Sequence, residues 1–131
     1  MSTGKRFDQG KSRISLVPFV AIRAIGDVYA YGESKYASWN WAKGMKWSRV
    51  SDSMLRHYER FQMGEKFDEE SSLLHSAHLA WNAITLLTYE LLDLGEDDRW
   101  KEKADYIPQD LRTTLKKDFK DLDPDGTGKA D

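Results

Sequence analysis

The run from Asp68 to Leu92 constrains the fold more than any other part of the chain. Leu74, Ala77, Trp81 and Ile84 recur there at helical spacing, and Leu87 and Leu91 continue along a second face. An apolar surface that long and broad predicts a helix covered on more than one side, the centre of a bundle. The same run carries polar groups where a plain bundle helix has leucine. His75, His78 and Asn82 stand at i, i+3 and i+7 and share one stripe. A buried polar group without a partner costs roughly 1–3 kcal/mol, so such groups either pair or bind something. Glu33, His57 and Glu70, nearby in sequence, enlarge the set.

The remaining elements follow from the same periodicity. Ser15 ahead of Pro18 suits a helix entrance, and Val20, Ala24, Val28 and Tyr31 carry the spacing to Gly32, a natural stop. Residues 33–47 hold Tyr36, Trp39, Trp41 and Trp47 and read as a loop or short helix. Ser48 can cap a second helix over about 48–63, with Val50, Met54, Tyr58 and Phe61 on its apolar face and Gly64 at its end. Asp68, Glu69 and Glu70 suit the positive end of the third helix, and Gly95 closes it. A fourth helix over about 109–120 uses Leu111, Leu115 and Phe119.

Strand signals are nearly absent. The expected fold is all-α, a small bundle of about four helices with flexible polar termini. Its parts are a polar arm over 1–14, a helical catalytic-like core over 15–95, a helical extension over 96–120 and a disordered tail over 121–131. A chain of 131 residues is long enough to bury a core of its own.

Composition narrows the function. The formal net charge of −2 argues against a protein that grips nucleic acid through its backbone, although a local basic groove for a phosphorylated small molecule is compatible with it. The absence of cysteine excludes disulfides, thiolate-bound zinc and thiol nucleophiles. The start MSTGKRFDQGKSR has no apolar core of the secretory kind, and no run approaches a membrane span, so a cytoplasmic protein is expected.

Three groups of residues carry the candidate chemistry. The His75, His78 and Asn82 stripe points two imidazoles and an amide into one space, suited to a divalent metal, a phosphate or a base edge; the plain alternative is a solvated stripe. On the second helix, Arg56 suits bidentate phosphate contact and His57 proton transfer or metal binding, against the alternative of a salt-bridged surface. Past the first helix, Glu33 is a carboxylate for a metal, Lys35 a cation for phosphate, and Asn40 lies between two tryptophans that can stack on a purine or plug the core. No adjacent His-Asp pair occurs, which disfavours a phosphohydrolase of the HD type.

The order GK-x-R-x-x-L-x-P, V-x-x-YG-x-x-KY-x-x-x-NW-x-x-G, RH, GE-x-x-D-x-E and H-x-x-H-x-x-x-N resembles a phage-enriched family of dATP/dGTP diphosphohydrolases. That family is related in concept to the all-α MazG-type nucleoside triphosphate pyrophosphohydrolases. The matching residues run from Gly10, Lys11 and Arg13 through Tyr31, Lys35, Asn40 and Trp41 to Arg56, His57, Glu65, Asp68, Glu70, His75, His78 and Asn82. The resemblance covers about residues 10–90. It implies hydrolysis of dGTP or dATP to the monophosphate and pyrophosphate, in phage nucleotide metabolism, with Mg²⁺ or Mn²⁺ as cofactor. The chain departs from MazG-type enzymes in lacking their E-x-x-E and E-x-x-D pairs on its main helices.

On this reading Glu33 and Glu70 are the expected metal ligands, while His75, His78 and His57 supply further ligands or a base that orients water. Lys11, Lys35 and Arg56 would neutralise the phosphates. Asn40 and Trp41, with Asn82, would face the nucleoside. The partners expected are a purine deoxynucleoside triphosphate and a second copy of the chain, with no membrane and no stable nucleic-acid binding. The competing reading is a non-catalytic nucleotide-binding or scaffolding homo-oligomer whose polar stripe is structural.

Overall fold

The computed structural model describes residues 3–100, and these are all-α. Helix α1 spans Phe19–Lys35, α2 Trp47–Gln62 and α3 His75–Leu92, with short 3-10 turns at Ile14–Leu16 and Asn40–Lys43. Isolated bridges join Lys46 to Glu96 and Phe67 to Leu74, and no strand forms among the described residues. The expected helix over 109–120 and the tail over 121–131 lie outside the described residues.

Pro18 sets the start of α1. Its ring fixes φ near the helical value, while the residue before a proline is pushed to extended backbone, as Val17 is. Ser15 therefore lies in the preceding 3-10 turn rather than in the helix. Gly32 does not stop α1, which runs on to Lys35 with Tyr36 N–H bonded to the Gly32 carbonyl. A glycine ends a helix by turning left-handed, and Gly32 keeps helical backbone. Gly64 does turn, with φ 90°, and Glu65 N–H reaches back to the Arg60 carbonyl at 3.0 Å, closing α2.

Helix α3 is the central element, packing most extensively on α2 and also on α1. Both neighbours run antiparallel to it. Tyr29 and Tyr31 of α1 meet Trp81 and His78, while Trp47 and Val50, at the start of α2, pack on Tyr89 near the end of α3. That last group is the main core, completed by Trp41, Met45, Leu86 and Leu94. Its polar atoms are satisfied: the Tyr89 hydroxyl donates to the Trp41 carbonyl at 2.6 Å and the Trp47 indole to the Leu94 carbonyl at 2.9 Å. The tryptophan-rich connector thus divides its work. Trp41 and Trp47 plug the core, whereas Trp39 stays 72% exposed.

The exit of α3 is laced to the entrance of α2. Asp93, in left-handed conformation, ends α3 after Leu92, close to the expected Gly95. The chain then bonds Trp47 N–H to the Glu96 carbonyl and Glu96 N–H to the Met45 carbonyl. Two glycines permit this approach. A Cβ on Gly95 would stand 2.3 Å from the Met45 carbonyl oxygen, one on Gly44 would stand 2.8 Å from Gly95 N, and both residues have positive φ.

The largest departure from expectation is at residues 68–74, expected as the start of the third helix. They are not the first turns of α3 but a closed loop, with His75 N–H bonded to the Lys66 carbonyl and Asp68 N–H to the Leu73 carbonyl. Helix α3 begins only at His75. The reason is local competition for backbone hydrogen bonds. The Asp68 carboxylate accepts from both the backbone N–H and the hydroxyl of Ser71 at 2.9 Å, a turn that aspartate and serine form in preference to helix.

Candidate metal and nucleotide site

The antiparallel pairing of α2 and α3 brings His57 against the first turn of α3. Its ring stacks on His78, with centroids 4.4 Å apart and planes 7° from parallel, and its Nδ1 faces the Nδ1 of His75 at 2.9 Å. His75, His78 and Asn82 are all buried, so the stripe predicted as one face is one face, turned inward. The Asn82 amide donates to the His78 carbonyl at 2.8 Å, which ties it to the helix backbone. Tyr31 closes the far side, edge-on to His78.

The closed loop supplies the oxygen donors. Ser71 Oγ sits 2.7 Å from His78 Nε2, and Asp68 Oδ2 lies 3.9 Å from the same nitrogen. On the other imidazole, Glu65 Oε1 stands 3.7 Å from His75 Nε2, beyond hydrogen-bond reach. That nitrogen is buried and has no hydrogen-bond partner. One ligand atom each from His57, Asp68 and His75 falls within 4.8 Å of the others, a grouping able to hold a metal ion.

Electrostatics favour the neutral form of His57 and His78. Burial, together with repulsion from protonated His78, His75 and Arg56, lowers the His57 pKa to about 4, against the opposing pull of Asp68. Burial also lowers the pKa of His78. For Asp68 burial acts to raise the pKa, but the two hydrogen bonds from Ser71 and the nearby His78 and His57 outweigh it and hold the carboxyl below its ordinary range. Neutral His57 beside the ionised Asp68 carboxylate offers a lone pair and a negative charge to a cation.

This cluster opens onto a cavity of about 1200 Å³ between the helices and the aromatic connector, larger than the ~300–1,000 Å³ of ordinary small-molecule sites. Arg49 and Arg56 line it, exposed and without an ion-pair partner among the described residues, as do Arg60 and Lys35, which are paired with Glu65 and Glu70. Trp39 and Tyr36 stand exposed on its aromatic side. Trp39 holds φ 64°, a left-handed backbone that is uncommon for a bulky residue.

Most of the residues singled out from sequence line this one cavity: Lys35, Asn40, Trp41, Arg56, His57, His75, His78 and Asn82, together with Glu33 and Glu70. Lys11 does not; it lies on the exposed N-terminal arm. The two glutamates expected as ligands are otherwise engaged. Glu70 pairs with Lys35, and these bonds with one from Tyr31 hold its pKa down, while Glu33 accepts from the Ser38 hydroxyl at 2.7 Å. The carboxylate brought to the imidazoles is Asp68. Its signal in sequence was the D-x-x-S turn that begins in the GE-x-x-D-x-E run and ends just past it at Ser71, which competes with a helix start. Arg49 carried no such signal, since an arginine on an amphipathic helix looks the same whether it faces bulk water or a cavity.

Comparison with known proteins gives two matches. The model of the family described as "dATP/dGTP diphosphohydrolase, N-terminal" matches residues 1–99. A protein of Salmonella phage PMBT28 named dATP/dGTP diphosphohydrolase is 38% identical over 101 residues, covering 75% of this chain and 34% of the relative. The chain thus spans about a third of the length of the curated relative it matches. No solved structure matches it.

Proposed function

Given that the chain belongs to the dATP/dGTP diphosphohydrolase N-terminal family, we propose that it hydrolyses purine deoxynucleoside triphosphates, dGTP or dATP, to the monophosphate and pyrophosphate in phage nucleotide metabolism. The observation that carries the reading is the meeting of His57, Asp68 and His75 on the wall of a cavity that also presents unpaired arginines and exposed aromatics. Cations for a triphosphate, ring faces for a purine and donors for a divalent ion then share one space.

In this reaction a water oxygen bonds to the α-phosphorus, the bond to the α–β bridging oxygen breaks, and pyrophosphate leaves. His57, Asp68 and His75 would hold the divalent ion, Mg²⁺ or Mn²⁺, which when bound neutralises phosphate charge and acidifies water. Arg49 and Arg56 bind the phosphate chain. Tyr36 and Trp39 stack on the base, with Asn40 at their side. His78, neutral and bonded to Ser71, takes up the proton of the attacking water and releases it to solvent.

The chain functions as a homo-oligomer. Support comes from Phe19, Val20 and Ile22, exposed apolar residues of α1 that line a second groove of about 460 Å³ with Arg23. No helix of the described residues is long and apolar enough to cross a membrane.

The direct test incubates the protein with each deoxynucleoside triphosphate and Mg²⁺ or Mn²⁺ and resolves the products chromatographically. Purine monophosphate plus pyrophosphate, lost on adding chelator and in His78→Ala with helical content unchanged, is the expected result. No product from any nucleotide would leave a binding or assembly role.

A further inference from the structure

We propose that His57, Asp68 and His75 form a two-histidine, one-carboxylate centre for a first-row transition ion, binding Mn²⁺ in preference to Mg²⁺, with Glu65 as the carboxylate that orients His75. The inference gives an ion class to the site of the proposed hydrolase, but it stands on the donor atoms alone.

Two facts about His75 lead to it. A neutral imidazole carries one N–H and one lone pair. The ring is 4% exposed, its Nε2 has no hydrogen-bond partner, and Glu65 Oε1 waits 3.7 Å from that atom. With the proton on Nε2, facing Glu65, the lone pair lies on Nδ1, and there it meets the Nδ1 of His57 at 2.9 Å. A metal-bound histidine commonly directs its other N–H to a carboxylate, and Glu65, 3.7 Å away, needs to close by less than about 1 Å to take that place. Two nitrogens bound to one ion at ~2.1 Å and near right angles lie about 3 Å apart, so the observed spacing suits two ligands of a single cation.

The donor set decides which ion. Mg²⁺ takes oxygen ligands and keeps most of its water, and a centre of two imidazoles and one carboxylate offers it a single protein oxygen. Imidazole suits transition ions, and two imidazoles with one carboxylate leave positions open for substrate. Among the described residues no three carboxylates come together to offer an all-oxygen site; the grouping of donors is His57, Asp68 and His75.

The test is a titration of the full chain, stripped with chelator, with Mn²⁺ followed by electron paramagnetic resonance and with Mg²⁺ as competitor. Expected are one tightly held Mn²⁺ per chain, about tenfold or more tighter than Mg²⁺, and spin-echo modulation from imidazole nitrogen. His57→Gln and Asp68→Asn each weaken Mn²⁺ about tenfold or more, and Glu65→Gln weakens it less. The nitrogen signal is read on the unaltered chain, so a variant that fails to fold does not blunt the test. Mn²⁺ bound without nitrogen modulation, or displaced by equimolar Mg²⁺, or unbound, overturns the proposal. Mn²⁺ bound as expected with no nucleotide hydrolysed would sink the enzymatic reading and leave the centre standing.

Discussion

Trp39 and His57 show how single residues couple backbone, burial and chemistry here. Trp39 keeps a left-handed backbone that costs a bulky residue on the order of 1–2 kcal/mol, and it leaves its ring 72% exposed beside the cavity. Stacking on a base is worth roughly 1–3 kcal/mol, so Trp39→Ala should raise KM for a purine triphosphate about fivefold or more with kcat little changed. An unchanged KM would remove Trp39 from base recognition. His57 makes a prediction in pH. Its pKa falls from 6.5 to about 4 on folding, so between those values the unfolded chain binds more protons than the folded one. The metal-free protein should therefore lose stability as pH drops from 6.5 toward 4, with His78 adding in the same direction. Thermal melts across that range check the sign, and His57→Asn should flatten the dependence.

Among the elements, the glycines separate sequence habit from structural need. Gly95 must be glycine: its φ is 75° and a Cβ would meet the Met45 carbonyl oxygen at 2.3 Å, where α3 is laced to α2. Gly95→Ala should cost more than about 1 kcal/mol. Gly26 sits inside α1 with helical backbone and nothing within 4 Å of a built Cβ, so Gly26→Ala should stabilise by about 0.4–1 kcal/mol. Paired chemical denaturation curves measure both, and like signs for the two would show that this contrast has been misread. The same contrast explains which boundaries were legible. Gly64 turns left-handed and ends α2 as its position suggested, whereas Gly32 stays helical and α1 continues. Identity alone does not say which state a glycine adopts.

For the molecule as a whole, the apolar surface left open on α1 is the feature to test. Phe19 and Val20 are 67% and 79% exposed, with Ile14, Leu16 and Val17 exposed just before them. Exposed apolar patches mark interaction sites, and the proposed homo-oligomer would bury this one. Light scattering should report a mass of at least two chains, and Val20→Glu should shift it to one; a monomeric parent protein would refute self-association through this face.

The all-α class, the central place of the third helix, and the shared stripe of His75, His78 and Asn82 were readable from the chain alone. Helical periodicity is a local property, written every three or four residues. What only the tertiary structure decided is which groups meet across elements. It turned that stripe inward, set His57 of α2 against it, and folded residues 65–74 into a loop that delivers Asp68 where Glu33 and Glu70 were expected. Those outcomes depend on the register of one helix against another and on a side chain competing with helix hydrogen bonds. Both are settled by contacts between residues distant in sequence, and spacing along a single chain does not encode them.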